Sequence, residues 1–285
     1  LSSAVGRLGL AAALCIGLTL ARAQGDAAKG EYLAKAAGCV GCHTDIRSGA
    51  PRFAGGREIA TPFGKFFGPN ITPDPGAGIG RWSEADFIAA MRFGLRPDGS
   101  HSFPVFPYVS FTKITDADLK DLYAYLRTVP ASSQPSKPHE LRFPYGFRFL
   151  LRFWKWLYLV PGPFLPDAAR GEAWNRGAYL ADALGHCSEC HTPRDFLGGP
   201  KQSRYLAGGR LLEGRTPNLT PSRLKRWNDA QLALFLRTGA TPEGDVPSEV
   251  MDEVIRNTTS QLSATDLAAL VAYLRSLPPL PDEPK

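Results

Sequence analysis

Apolar residues recur at helical spacing in six stretches of the chain, and the six fall into three matching pairs. GEYLAKAAG, from Gly30, and GAYLADALG, from Gly177, form the first pair. WSEADFIAAMRFG, from Trp82, and WNDAQLALFLRTG, from Trp227, form the second, with Ser83 and Asn228 placed as N-caps. ITDADLKDLYAYL and LSATDLAALVAYL form the third. There Thr115 and Ser263 stand as N-caps with Asp118 and Asp266 three residues on, a capping-box spacing. Leu119, Leu122, Tyr125 and Leu126 mark a buried helical face. Long loops with TPFG and NITP elements separate the helices, and no segment alternates with the period of two that a half-buried strand needs. The pattern predicts an all-α chain without a sheet, built as two copies of one unit.

The copies set the boundaries. Cys39, Asn70 and Tyr125 recur 148 residues later as Cys187, Asn218 and Tyr273, and Trp82 recurs after 145 residues as Trp227. Residues 24–133 and 171–285 are the two predicted domains, and 134–170 is a connector. The connector opens as a loop, PASSQPSKPHE, and becomes aromatic-rich over 141–164. Arg148, Arg152 and Lys155 fall at i, i+4 and i+7, so a helix there carries a basic stripe against an apolar remainder. Two readings stay open: docking on a membrane surface or a partner, and an aromatic core shared by both domains.

Ahead of the first domain, residues 1–23 carry one early basic residue (Arg7), an apolar stretch from Leu8 to Leu20 and then Ala21-Arg22-Ala23. That order predicts a secretory signal cleaved before Gln24, hence a periplasmic protein, with association at the membrane through 141–164 as the further option. The formal charge of +6 comes from 33 basic and 27 acidic side chains, and the basic residues are too scattered for a nucleic-acid partner. Of the five cysteines, Cys15 leaves with the signal and the other four lie in two pentads, CVGCH and CSECH. An exported chain is left with no cysteine for a disulfide.

Two cysteines separated by two residues with His directly after are the attachment signature of c-type haem. The spacing presents both sulfurs to the two vinyl groups of one porphyrin and brings the histidine under the iron. Cys39, Cys42, Cys187 and Cys190 are the candidate covalent attachments of two haem c groups, and His43 and His191 the candidate proximal iron ligands. A zinc site would want further Cys or His at matching spacing. A thioredoxin-like redox pair would want a strand before the motif, where this chain has helices.

With TPFGKFFGPNITPDPGAGIGRWSEADF, PDGSH, WNRGAYLADALGHCSECHTPR and LTPSRLKRW in place, each half resembles a class I cytochrome c domain. In that fold a small residue on the first helix, here Gly30 or Gly177, meets an aromatic on the last, here Tyr125 or Tyr273, and a late-loop Met completes the iron. More narrowly, the chain resembles the first two domains of the multihaem cytochrome c subunits of bacterial membrane-bound alcohol, aldehyde and gluconate dehydrogenases. The resemblance implies single-electron relay from a periplasmic dehydrogenase to another cytochrome or a terminal oxidase. No acid, base or nucleophile constellation for substrate chemistry stands out.

Beyond the signal, the chain has two methionines, Met91 and Met251. Aligned from the tryptophans, Met251 stands opposite Phe106, and Met91 opposite Leu236 on an apolar helix face. Met251 is thus the expected sixth ligand of the second haem and Met91 core packing. HSFPVFPY, from His101, carries Phe106 where the family pattern has Met. Three readings remain for the first haem: ligation by His101, recruitment of Met91, or an open position beneath Phe106. The last would support a rival reading as a peroxidase-like or small-ligand-binding haem enzyme. His186 has two readings, contact with a haem edge or a surface role, and His139, in the Pro-rich connector, is expected to be solvated. Asn70, Thr72, Asn218 and Thr220 either bond propionates or form turns.

Overall fold

The computed structural model describes residues 25–211 and 214–282, so the signal expected over 1–23 lies outside the described residues. Domain 1 runs α1 (Ala27–Ala36), α2 (Cys39–His43), β1 (Glu58–Thr61), β2 (Gly64–Phe67), α3 (Glu84–Phe93), α4 (Tyr108–Phe111) and α5 (Asp116–Leu126). The connector supplies β3 (Glu140–Leu141) and α6 (Leu151–Tyr158). Domain 2 follows with α7 (Glu172–Tyr179), α8 (Ser188–His191), β4 (Gly209–Leu211), β5 (Gly214–Thr216), α9 (Pro221–Leu224), α10 (Asp229–Thr238), α11 (Glu249–Asn257) and α12 (Ala264–Ser276). One apolar core, with Leu33, Leu119, Leu122, Leu184, Leu270 and Tyr273 among its members, runs through both domains.

In each domain the opening helix crosses the closing helix at a glycine. A Cβ on Gly30 would lie 1.9 Å from the Asp121 carbonyl oxygen, and one on Gly177 would lie 2.1 Å from that of Ala269. Tyr125 and Tyr273 pack at these crossings, as the resemblance implied. The segments into the pentads differ in length: Cys39 follows Gly30 by nine positions and Cys187 follows Gly177 by ten. A π-helical turn over Leu180–Leu184 absorbs the extra residue, so the second pentad keeps its place.

The expectation of no strands needs correction. β1 and β2 pair antiparallel, with Glu58 opposite Phe67, β3 adds to β2, and β4 pairs with β5. The strands have two to four residues, too few for an alternating pattern to stand out. They decorate loops of a helical fold, which remains all-α.

β3 also corrects the reading of His139. Its Nδ1 accepts from the Phe67 N–H at 3.2 Å, and its ring lies against Phe66 and Phe103. Burial pushes its pKa down to about 4, helped by Arg148 and Arg96.

The connector packs between the domains with one face, as the shared-core reading expected, and leaves aromatics exposed on the other. Inward, Leu151 packs with Phe66 and Phe103, Trp154 meets Tyr108 of domain 1 and donates to the Leu197 carbonyl of domain 2, and the Tyr158 hydroxyl donates to Asp195 at 2.7 Å. Outward, Phe143, Phe153, Trp156 and Val160 are 86%, 66%, 82% and 84% exposed.

The domains also grip each other reciprocally. The Tyr32 hydroxyl of α1 donates to Asp266 and accepts from the Ser263 N–H at 3.1 Å. The Tyr179 hydroxyl of α7 donates to Asp118 at 2.6 Å and accepts from the Thr115 N–H at 3.2 Å. Thr115 and Ser263 do cap their helices, accepting from the N–H groups of Asp118 and Asp266. The return bond of a capping box, from acid to cap N–H, is instead relayed by a tyrosine of the other domain.

Candidate haem sites

Each pentad forms a short helix whose histidine is anchored the same way. Nδ1 of His43 lies 2.8 Å from the Pro69 carbonyl, and Nδ1 of His191 lies 2.8 Å from that of Pro217. A carbonyl can only accept, so each Nδ1 carries the proton and each Nε2 keeps its lone pair for a metal. This arrangement would let each histidine hold a haem iron through Nε2.

The carbonyls are held in turn by the NITP elements. Oδ1 of the buried Asn70 accepts from the N–H and hydroxyl of Thr72, while its Nδ2 donates to the Ser132 and Gln134 carbonyls at 2.8 Å. Asn218 repeats this with Thr220 and with the Leu280 carbonyl. Both elements form the turn, one of the two readings offered, and extend it to a clamp on the chain that follows each closing helix. Both amide hydrogens of Asn70 are spent on that clamp, which leaves none for a propionate.

The pentad thiols are unlike those of a thioredoxin-like pair: burial pushes Cys39 and Cys187 up to about 12, the opposite of the reactive thiolate that a redox pair needs.

The distal candidates fall in different surroundings. Met251 lies in the first turn of α11, capped by Ser248, and packs against the main core. Phe106 packs against the same core, its ring 5.6 Å from that of Phe111. Met91 is buried within α3. His101 is half-buried and turned to the connector, with its Nδ1 2.8 Å from Lys155 Nζ. His186 is partly buried: it adopts a left-handed φ of 37°, its ring meets Phe111 of domain 1 edge-on at 5.4 Å, and it bonds the Ala37 backbone.

The distal segment of each domain rests on the pentad of the other. Glu253 and Asn257 of α11 flank Gly41 in the first pentad, and Glu253 pairs with Arg57 at 2.7 Å. Reciprocally, Ser110 of α4 donates to Glu189 in the second pentad at 3.2 Å. Helical periodicity does not report such cross-domain contacts, and it also passes over Tyr32 and Tyr179. Their signal is a hydroxyl at one repeat position, two residues after Gly30 and Gly177.

Residues 27–130 and 175–278 each match the family described as Cytochrome c. The chain belongs to the cytochrome c family. It is 43% identical over 264 residues to a diheme cytochrome c-type protein of Cereibacter sphaeroides, covering 89% of this chain and 86% of that one. It is 42% identical over 255 residues to the fructose dehydrogenase cytochrome subunit of Gluconobacter japonicus, covering 88% of this chain but 52% of the relative. The gluconate 2-dehydrogenase cytochrome c subunit of Pantoea cypripedii is 36% identical over 262 residues, with 87% and 59% covered. The chain thus spans about half the length of these dehydrogenase subunits. It is a dihaem cytochrome c that transfers electrons and carries two covalently bound haem c groups.

Proposed function

We propose that this cytochrome works in the periplasm, accepting single electrons from a dehydrogenase and passing them to a further cytochrome or a terminal oxidase. The observation that carries the reading is the pair of identically anchored histidines, each behind two thiols, in domains joined through one core. Cys39 and Cys42 would hold the first haem and Cys187 and Cys190 the second, with His43 and His191 proximal and Met251 distal to the second. Bound there, haem c supplies a one-electron iron couple. The chain's own part is to fix both imidazoles through Pro69 and Pro217, to exclude water with the shared core, and to hold the two sites at one separation. A dehydrogenase donor is supported by the names of relatives, which are cytochrome subunits of fructose and gluconate dehydrogenases.

The outward face of the connector is proposed to rest on an anionic membrane surface. No acidic residue occurs from 141 to 166, and Arg142, Arg152, Phe153 and Trp156 are all exposed. Aromatics beside cations are the composition of an interfacial segment. Among the described residues no helix is long and apolar enough to cross a membrane.

Two experiments test these readings. Stopped-flow mixing with a reduced flavin- or quinone-dependent dehydrogenase should reduce both haems in sequence, and failure to accept electrons from any such donor would sink the relay. Cosedimentation with anionic vesicles should fall on Trp156→Ser. Binding that ignores both this change and the lipid charge would hand the face to a protein partner instead.

A further inference from the structure

The two halves give their irons different distal sides. Met251 offers a thioether in domain 2, and the matching position in domain 1 is Phe106, whose ring has no lone pair to give. Any side-chain ligand for the first iron must therefore come from elsewhere, and the structure shows one sequence candidate bonded to another side chain and the other on a helix whose rotation is locked.

His101 is the first. The Lys155 ammonium has three N–H donors and meets three acceptors: the Phe93 carbonyl at 2.6 Å, the Gly94 carbonyl at 2.9 Å and Nδ1 of His101 at 2.8 Å. With Nδ1 accepting, the imidazole proton resides on Nε2, and a protonated Nε2 cannot ligate iron. The His101 backbone is tied down as well, since its carbonyl accepts from Arg148 at 2.5 Å and it bridges Leu95. Lys155 itself is buried against the Tyr108 ring, so its place is set by packing as well as by its bonds.

Met91 is the second. It lies buried in α3, and the next residue, Arg92, locks that helix in rotation by bonding the Thr112 carbonyl, the Ile114 carbonyl at 2.9 Å and Asp116 at 2.6 Å. Rotating α3 to re-aim Met91 would break all three.

We propose that the first haem is five-coordinate, held so by the Lys155 clamp on His101. Its sixth position, bordered by Phe106, is then a binding site for a small uncharged diatomic ligand. This rests on the assignment of His43 as proximal ligand. Phe106, at the repeat position of Met251, brings an uncharged ring packed on Phe111, and such an apolar neighbour favours neutral ligands over anions, because burying an unpaired charge there is costly.

The test uses the full-length dihaem protein, its two haems per chain first verified by pyridine haemochrome assay. The expected result is a ferric EPR spectrum with one high-spin and one low-spin haem, and a ferrous form that binds one carbon monoxide per two haems. Phe106→Met should abolish carbon monoxide binding and convert the high-spin signal to low-spin, whereas His101→Ala should leave both signals unchanged. Two low-spin haems with no carbon monoxide binding overturn the proposal. If His101→Ala then creates a high-spin haem, His101 is the ligand, and if Met91→Leu does so, Met91 is. A stoichiometry of one haem per chain would instead overturn the underlying assignment of two haem sites.

Discussion

His43 and His191 are anchored to proline carbonyls at the same 2.8 Å, yet Phe106 and Met251, which share one repeat position, have no common coordination chemistry. Between the two domains the proximal side is copied and the distal side has diverged. The proximal side is fixed by several groups at once: the pentad, the anchoring carbonyl, the asparagine clamp and the glycine crossing. The distal side depends on one side chain, from a loop in domain 1 and from the first turn of α11 in domain 2, and in domain 1 the connector has been built against that loop. Where many contacts specify a site its halves stay alike, and where one residue does they can part.

Removing the thioether from domain 2 should erase the contrast. Met251→Ala is expected to leave the second haem like the first, with a high-spin signal and carbon monoxide binding at both. Its potential should fall by a sizeable part of the roughly 0.8 V that axial ligation spans. Potentiometry with optical detection checks this, and an unchanged second potential would remove Met251 from the iron.

Next in size is a change that should strike both halves alike. Gly30→Ala and Gly177→Ala each force a methyl into a backbone carbonyl, at 1.9 Å and 2.1 Å, and each should cost about 3 kcal/mol. Guanidinium unfolding followed by haem absorbance measures the loss. A large cost at one glycine alone would mean that the two helix crossings are not equivalent.

Smaller again are the reciprocal tyrosines. Tyr32→Phe and Tyr179→Phe each remove a hydroxyl between a carboxylate and a cap N–H, for about 2 kcal/mol apiece. The double variant, compared with the singles, reports whether the two clasps act together.

The smallest effect belongs to domain 1 alone. His139 is held neutral by burial, with a pKa of about 4 against an ordinary value of 6.5, so the unfolded chain binds its proton first as pH falls. Stability from this group is present above about pH 6.5 and declines as pH falls toward 4, by on the order of 1 kcal/mol for a partly solvated side chain. His139→Asn, which keeps an acceptor for the Phe67 N–H, should flatten that slope in urea titrations at successive pH values.

The sequence carried the opening, middle and closing helices and the pentads because each has a local cause: periodicity, a cap, or a spacing set by porphyrin geometry; α4, α9 and α11 lie in stretches read as loops. It did not carry the hairpins, whose strands are shorter than any pattern can register. His139 looked solvated because its neighbours are Pro138 and Glu140, and only the pairing of β3 with β2 buries it. The basic stripe of α6 was legible but its orientation was not. Lys155 turns inward because the C-terminal carbonyls of α3, at Phe93 and Gly94, attract a cation, and the aromatics are thereby left outside.

The tyrosine clasps carry a history as well as a geometry. Tyr32 reaches Asp266 as Tyr179 reaches Asp118, so one surface patch is used by both halves, each contact answered by its counterpart. That is the signature of an isologous interface, the kind that builds homodimers. The molecule has the form of two like subunits fused end to end, and the connector makes their meeting intramolecular, as a tether does. Freed from the need to serve two identical partners, each former subunit could change its own distal residue without changing the other's.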